Sequence, residues 1–305
     1  MGHEVAIPSG PWPLPTELRN NETGKSYAYH HHAERRFVHD DTPRYMLAKG
    51  GEGGGKSVAG IVKTLFKLSR GISPGVMGSP DFEHFKKSLW PEFRRWCPWD
   101  YVIPSQRHRA ALSWNPPGPF DLIFDGPRGQ VALTCGGFDD PGSWEGPNLA
   151  FAYFDEARRH KTPSMLKVLD GRCRIVGPNG EPPQIWLTST PRKHWMFEYF
   201  GPVADNDPRA AFKRDSFVID LLTAGNADNL SPGFVDQRRQ TLTEAEARVL
   251  LEAAWEDIDT ADRFLPSMSW WDVCQEALPS LTRHEPMVIG LDAGTKDDNF
   301  GLVAV

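Results

Sequence analysis

The stretch Gly50-Gly51-Glu52-Gly53-Gly54-Gly55-Lys56-Ser57 leaves few folds open to this chain. It satisfies G-x-x-x-x-G-K-[ST], with the apolar run Tyr45-Met46-Leu47-Ala48 before it and the helix-compatible run Val58 to Leu68 after it. Glycines let successive backbone N–H groups converge on a polyphosphate, and a helix opening at Lys56 adds its positive end to the same anion site. Residues 50–58, ending at Val58, are therefore expected to hold ATP. Lys56 would reach the β- and γ-phosphates, and the Ser57 hydroxyl would bind Mg²⁺. Gly24-Lys25-Ser26 also reads G-K-S, but Arg19 stands where the first glycine belongs, so that site is set aside.

The order of elements after the glycine loop predicts an α/β fold. Gly71-Ile72-Ser73-Pro74 reads as a turn and Gly75-Val76-Met77-Gly78-Ser79 as a short buried strand. From Pro80 to Trp96, Phe82, Phe85, Leu89 and Phe93 recur at helical spacing, with a kink expected at Pro91. Strand, helix, strand, helix implies a parallel sheet with crossover helices. Asp121-Leu122-Ile123-Phe124 and Gln130-Val131-Ala132-Leu133-Thr134 flank the turn Asp125-Gly126-Pro127-Arg128-Gly129 and predict an added β-hairpin.

Two further strand ends carry candidate chemistry. The run Leu149 to Phe154 is apolar enough for a strand buried on both faces, and it ends in Asp155-Glu156. Ligands of α/β sheets gather at such carboxyl ends. Asp155 would hold magnesium through water, and Glu156 would polarise the water that attacks the γ-phosphate. Gln184-Ile185-Trp186-Leu187 is the other strand, ending in Thr188-Ser189-Thr190-Pro191. Its hydroxyls suit contact with the γ-phosphate or the attacking water, and equally a Ser/Thr turn stopped by Pro191.

Composition excludes several classes. At 305 residues, 39% hydrophobic and 24% charged, the chain is long enough for one large α/β domain, or one plus part of another, and has an ordinary composition. No apolar run approaches the ~20 residues a membrane helix needs. Residues 1–19 lack a signal-peptide core, and Ala6 stands where a myristoylation signal wants Ser or Thr, so a cytoplasmic protein is expected. The four cysteines form no C-x-x-C pair and suggest neither disulfides nor zinc. His30-His31-His32 has the side chains to hold a metal, but reads more readily as a solvated loop cluster. Net charge of −6 argues against wholesale coating by nucleic acid but leaves room for a local basic face. Residues 1–40 read as an irregular arm, in which Tyr29, Arg35 or Phe37 are candidates to cover a nucleotide base.

With three strand tips in hand, the chain resembles the large subunit of tailed-phage terminases, over roughly residues 37 to 305. The matching pieces are Gly50 to Ser57 as Walker A, Tyr153 to Glu156 as Walker B, and Leu187 to Pro191 as the coupling motif, followed by the aromatic run His194 to Phe200. Asn226 to Ser231 leads into two helical runs, Pro232 to Leu242 and Thr243 to Trp255, resembling the family's lid. Val288 to Gly294 and Phe300 to Val305 resemble the opening hairpin of its RNase H-like nuclease. The resemblance implies an ASCE-type, RecA-like P-loop ATPase of mainly parallel sheet. It divides the chain into an arm (1–36), an ATPase core (37–222), a helical lid or linker (223–285) and the first strands of a nuclease domain (286–305). It further implies a motor that packages double-stranded DNA in the cytoplasm of the bacterial host. Its partners would be a small terminase subunit, a procapsid portal and further copies in a ring, most commonly a pentamer. Thr188, Ser189 and Thr190 would relay the phosphate state to the lid.

Two departures from the family pattern bear on chemistry. Members often carry Arg within the phosphate loop, where this chain has Glu52, and another shortly before Walker B, where it has Glu145-Gly146. An arginine finger is worth orders of magnitude in rate, which leaves Arg158 and Arg159, or Arg107 and Arg109, as candidates. Asp292 matches the family's first nuclease metal ligand, with Asp297 or Asp298 as helpers. Two-metal cleavage needs several carboxylates, so the chain as given is expected not to cut DNA and to be a fragment or truncated product. The basic groups Arg158 to Lys161, Arg172 with Arg174, and Arg192 to His194 are candidates for sequence-independent DNA contact. Rival readings are another P-loop translocase or helicase, and a nucleotide-holding assembly module without efficient hydrolysis.

Overall fold

The computed structural model describes position 12, residues 17–30, 32–126 and 128–256, and the backbone of two strands at 289–292 and 301–304. It divides into two units, 1–256 and 257–305. In the first, helix α1 (His32–His39) precedes strand β1 (Tyr45–Gly50), and the glycine loop opens into α2 (Lys56–Ser69). Strand β2 (Gly75–Ser79) is followed by α3 (Phe82–His84), a π-helical segment Phe85–Leu89 and α4 (Trp90–Trp96). Next come the hairpin β3 (Phe120–Gly126) and β4 (Gly129–Gly137), then β5 (Phe151–Asp155) and α5 (Ser164–Arg172). The unit continues through β6 (Gln184–Ser189), α6 (Trp195–Phe200), α7 (Ala210–Arg214) and β7 (Ser216–Leu221), and closes with α8 (Phe234–Thr241) and α9 (Glu244–Leu250). The second unit contributes β8 (Ile289–Asp292) and β9 (Gly301–Ala304), paired antiparallel with Asp292 opposite Gly301.

The seven strands of the first unit run in the order β3-β4-β2-β5-β6-β1-β7. Only β3 and β4 pair antiparallel; every other pair is parallel. This is the expected parallel α/β sheet with an added hairpin. Strand periodicity explains its two cores. Met46, Ala48, Met77, Phe151, Tyr153 and Trp186 pack on one face with Ile61 and Leu65 of α2. Leu47, Val76, Ala152, Phe154, Ile185 and Leu187 pack on the other with Met165 and Leu169 of α5 and Met196 of α6. Helix α2 lies so close to β5 that a Cβ at Gly60 would stand 2.3 Å from the Tyr153 ring. That contact requires glycine. Among the described residues no helix is long and apolar enough to cross a membrane.

Several sequence expectations differ from what forms. The arm is not irregular throughout, because 32–39 is helical. An isolated helix of that length would not hold, and tertiary contacts hold this one. Glu34 accepts from Tyr27 Oη at 2.5 Å and His30 N at 2.8 Å, while Phe37 and Val38 are fully buried. Lys63 Nζ on α2 donates to Phe37 O at 2.8 Å and Asp40 O at 3.2 Å, satisfying carbonyls at the helix end. Near Pro91 the helix does not simply kink. The segment before it widens to a π-turn, consistent with proline's missing N–H and the clash of its ring with the preceding turn. Strand β7 has no counterpart in the sequence reading, although it pairs with β1 along its whole length. The two lid helices are shorter than the runs predicted, and a capping box between Thr243 and Glu246 sets the start of α9. Asp297, Asp298, His31 and residues 257–285 of the expected lid or linker lie outside the described residues.

Candidate nucleotide site

The site assembles at the carboxyl ends of three adjacent strands. β6 lies between β5 and β1, with Thr188 level with Ala48 on one side and Asp155 on the other. The glycine loop leaves β1 at Gly50, and Gly55 caps α2 at φ +82°, a left-handed backbone that glycine adopts without strain. This turn brings Lys56 and Ser57 over the sheet. Lys56 is 8% exposed, and its Nζ donates to Gly51 O at 2.6 Å. Burial lowers the Lys56 pKa, and the nearby Glu156 and Asp155 carboxylates oppose that shift.

Asp155 is the meeting point. Its Oδ1 accepts from Ser57 Oγ at 3.1 Å, Thr188 Oγ1 at 2.5 Å and Tyr153 Oη at 3.2 Å. Its Oδ2 is buried with no hydrogen-bond partner among the described residues. Burial, then the charge of Glu156, raises its carboxyl to about 6. A hydroxyl and a carboxylate with an oxygen to spare form an oxygen donor set of the kind Mg²⁺ prefers. The residues present fit that ion.

Glu156 follows directly after β5 in a left-handed backbone conformation, φ +47°. Its Oε2 accepts from Arg158 Nε at 3.2 Å. The coupling segment grips the same turn: Arg158 N donates to Ser189 Oγ at 3.1 Å, His194 Nε2 lies 2.9 Å from Arg158 O, and Trp195 Nε1 donates to His160 O at 2.7 Å. Thr188, Ser189 and Thr190 are all buried. Their packing exceeds what a solvated Ser/Thr turn would show.

The arginine candidates separate. Arg158 is engaged with Glu156, and Arg159 is exposed. Arg107 donates to Val102 O and Asp100 O, while Arg109 donates to Asp121 O and stacks over Trp114 and Phe120. Those two serve the loop beside β3, at the sheet edge remote from β1, and do not reach this chain's own glycine loop. Of the base-covering candidates, Phe37 is in the core, and Arg35 lines a different cavity with Arg36, His39 and Asp40. Tyr29 lines a cavity of about 780 Å³ together with Gly55, Val58 and Asn226. The excluded Gly24-Lys25-Ser26 follows a turn at 21–23 and is bridged back to the chain through Arg19 and Ser26.

The sequence reading missed the contacts behind the loop. Gly51 N donates to Leu221 O of β7, and Glu52 N to Leu250 O of α9. Thr223 Oγ1 donates to Glu52 O and Asn226 Nδ2 to Gly53 O, while the Glu52 carboxylate pairs with Arg238 of α8. No motif spacing signals these partners, since each lies some 170 positions or more along the chain.

A mainly parallel sheet with a glycine loop, an acid pair and one strand between them has the architecture of the P-loop NTPases. The family model described as "Terminase large subunit, T4likevirus-type, N-terminal" matches residues 105–271, and the chain belongs to that family. A search of curated proteins returned no match. Among solved structures, the chain is similar to a mutant of the large terminase ATPase domain of Thermus phage P74-26. The identity is 18%, coverage is 75% of this chain and 95% of that one, and the TM-score is 0.51. It is also similar to the large terminase of a thermophilic bacteriophage in complex with ADP. There the identity is 14%, coverage is 90% of this chain and 64% of that one, and the TM-score is 0.53. At these identities the likeness is one of fold.

Proposed function

We propose that the chain is the ATPase motor of phage DNA packaging, hydrolysing ATP with Mg²⁺ to move double-stranded DNA into a procapsid. The convergence of Ser57 and Thr188 on Asp155, with one carboxylate oxygen left over, carries this reading. The ADP in the thermophilic phage's large terminase supports a nucleotide here. Gly50 to Val58 would wrap the phosphates, with Lys56 exchanging its bond to Gly51 O for phosphate oxygens. Ser57 and Asp155 would hold Mg²⁺, which when bound offsets the charge on the β- and γ-phosphates. Glu156, freed from Arg158, would take the proton of the attacking water. Thr188, through its bond to Asp155, and Ser189, through Arg158 N, would report the state of the site to the turn 156–160. Arg158, once released, is the candidate finger within the chain, and exposed Arg159 the candidate toward a neighbouring subunit.

The reading extends to architecture and partners. Residues 37–222 would form the ATPase core, with α1 joined to it, 223–285 the lid and linker, and 286–305 the opening of an RNase H-like nuclease domain in which Asp292 is one metal ligand. A ring of copies, a small terminase subunit and a portal would complete the motor in the host cytoplasm. Phosphate release measured with and without DNA tests the proposal. Glu156→Gln is expected to abolish release while ADP still binds, and undiminished release would sink the assignment. The Glu156–Arg158 ion pair also favours a second reading, a nucleotide-holding module. No release under any DNA condition, with ADP bound normally, would select it.

A further inference from the structure

We propose that Arg238 on α8 is a positioning residue for the glycine loop: it neutralises the Glu52 carboxylate, so that the loop accepts a polyphosphate tightly only while α8 is docked. This rests on the nucleotide reading above and adds to it a coupling between helix and loop.

The observation is a carboxylate where an anion is meant to bind. Glu52 is the third residue of the loop, and its backbone is fixed at both ends, by Leu250 O on its N–H and by Thr223 Oγ1 on its carbonyl. A fixed negative charge there repels phosphate and competes with it for Lys56. The Glu52 charge already bears on the Lys56 ammonium. Arg238 answers it with a two-pronged bond, Nε to Oε2 at 2.7 Å and Nη2 to Oε1 at 3.2 Å, the paired geometry that makes guanidinium–carboxylate contacts directional. The third nitrogen, Nη1, donates to Thr241 Oγ1 at 3.1 Å and anchors the fork to the end of its own helix.

Both side chains are about one-third exposed, 34% and 37%. Such a pair adds little to folding stability, so its consequence belongs in ligand affinity. Withdrawal of α8 would return a net charge to the loop and loosen the nucleotide. Docking would restore neutrality. The loop thereby reads the position of a helix that begins far from it in sequence.

Equilibrium titration of the whole chain with a fluorescent ADP analogue and Mg²⁺ tests this. R238A is expected to weaken binding about tenfold at low salt, with a smaller difference at high salt because screening weakens the unmasked Glu52 charge. In ATP turnover the same variant should raise KM and leave kcat near wild type. R238K should retain most of the affinity, and E52A/R238A should recover to within about threefold of E52A. A double variant as weak as R238A, or an R238A indistinguishable from wild type, overturns the proposal. Should R238A fail to fold, E52Q decides: it keeps every backbone bond of the loop and is expected to bind ADP at least as tightly as wild type. A tenfold loss in E52Q overturns the proposal. K56A separates the two levels of inference. Undiminished ADP binding in K56A removes the nucleotide reading itself, whereas loss in K56A with a silent R238A removes only the role of Arg238.

Discussion

At Asp155 the sheet buries a carboxylate completely and gives only one of its oxygens hydrogen-bond partners among the described residues. The fold therefore holds a group whose charged form it disfavours, with a pKa raised from 3.8 to about 6. For a raised acid, the stabilising contribution is full below the unfolded pKa and is lost as pH rises through the folded one. In EDTA, the chain should accordingly lose stability between pH 4 and pH 6 on account of this residue. Asp155→Asn keeps the acceptor for Ser57 and Thr188 and removes the charge. It is expected to be more stable than wild type at pH 8 by on the order of 1–3 kcal/mol, with the gain fading as pH falls below about 5. Thermal unfolding across that range measures it, and a gain independent of pH would contradict the cause given. Asp155 and Ser57 were legible in the sequence because each stands in a short motif whose spacing follows from strand and turn geometry. Arg238 was not, because its partner is 186 positions away and no local pattern marks the pair.

Among elements, α2 on β5 is the contact that brings Ser57 to Asp155. Its closeness depends on Gly60 facing Tyr153, while Gly60 O accepts from Thr64 Oγ1 and Trp186 Nε1. Gly60→Val is expected to destabilise the chain by about 3 kcal/mol in urea unfolding, because branched bulk must displace a buried ring. Stability equal to wild type would mean that the helix can stand off the sheet without loss. Continuous apolar runs foretold β5 and β6, which are buried on both faces, a turn between two apolar runs foretold the hairpin, and a helix-compatible run after the glycine loop foretold α2. It did not foretell α1, whose single turn-and-a-half of apolar residues is stabilised by Lys63 and Glu34 rather than by its own pattern. Edge strand β7 escaped for a related reason: only Ile219 and Leu221 are buried in it, so its burial alternates too weakly to stand out.

Across the whole first unit, the sheet separates two cores, and native cysteines report on both. Cys97 and Cys135 lie in the core under α2 and α4, and Cys173 lies in the core under α5. Burial raises all three thiols, Cys173 to about 12, so they are poor nucleophiles in the folded chain. Thiol-specific labelling mapped by mass spectrometry is expected to spare these positions in buffer and to expose them together in one urea transition. Labelling of Cys173 at lower urea than Cys97 and Cys135 would show instead that the two faces melt apart.

The amino-acid sequence by itself determined the sheet class and the strand tips that meet at the candidate site, because buried strands and phosphate loops impose composition and spacing on consecutive residues. Only the tertiary structure decided strand order, the placing of Thr188 between Asp155 and the loop, and the pairing of Glu52 with Arg238. Those depend on which distant segments share the free energy of burial, and a single chain of letters carries no spacing rule for contacts made across a fold.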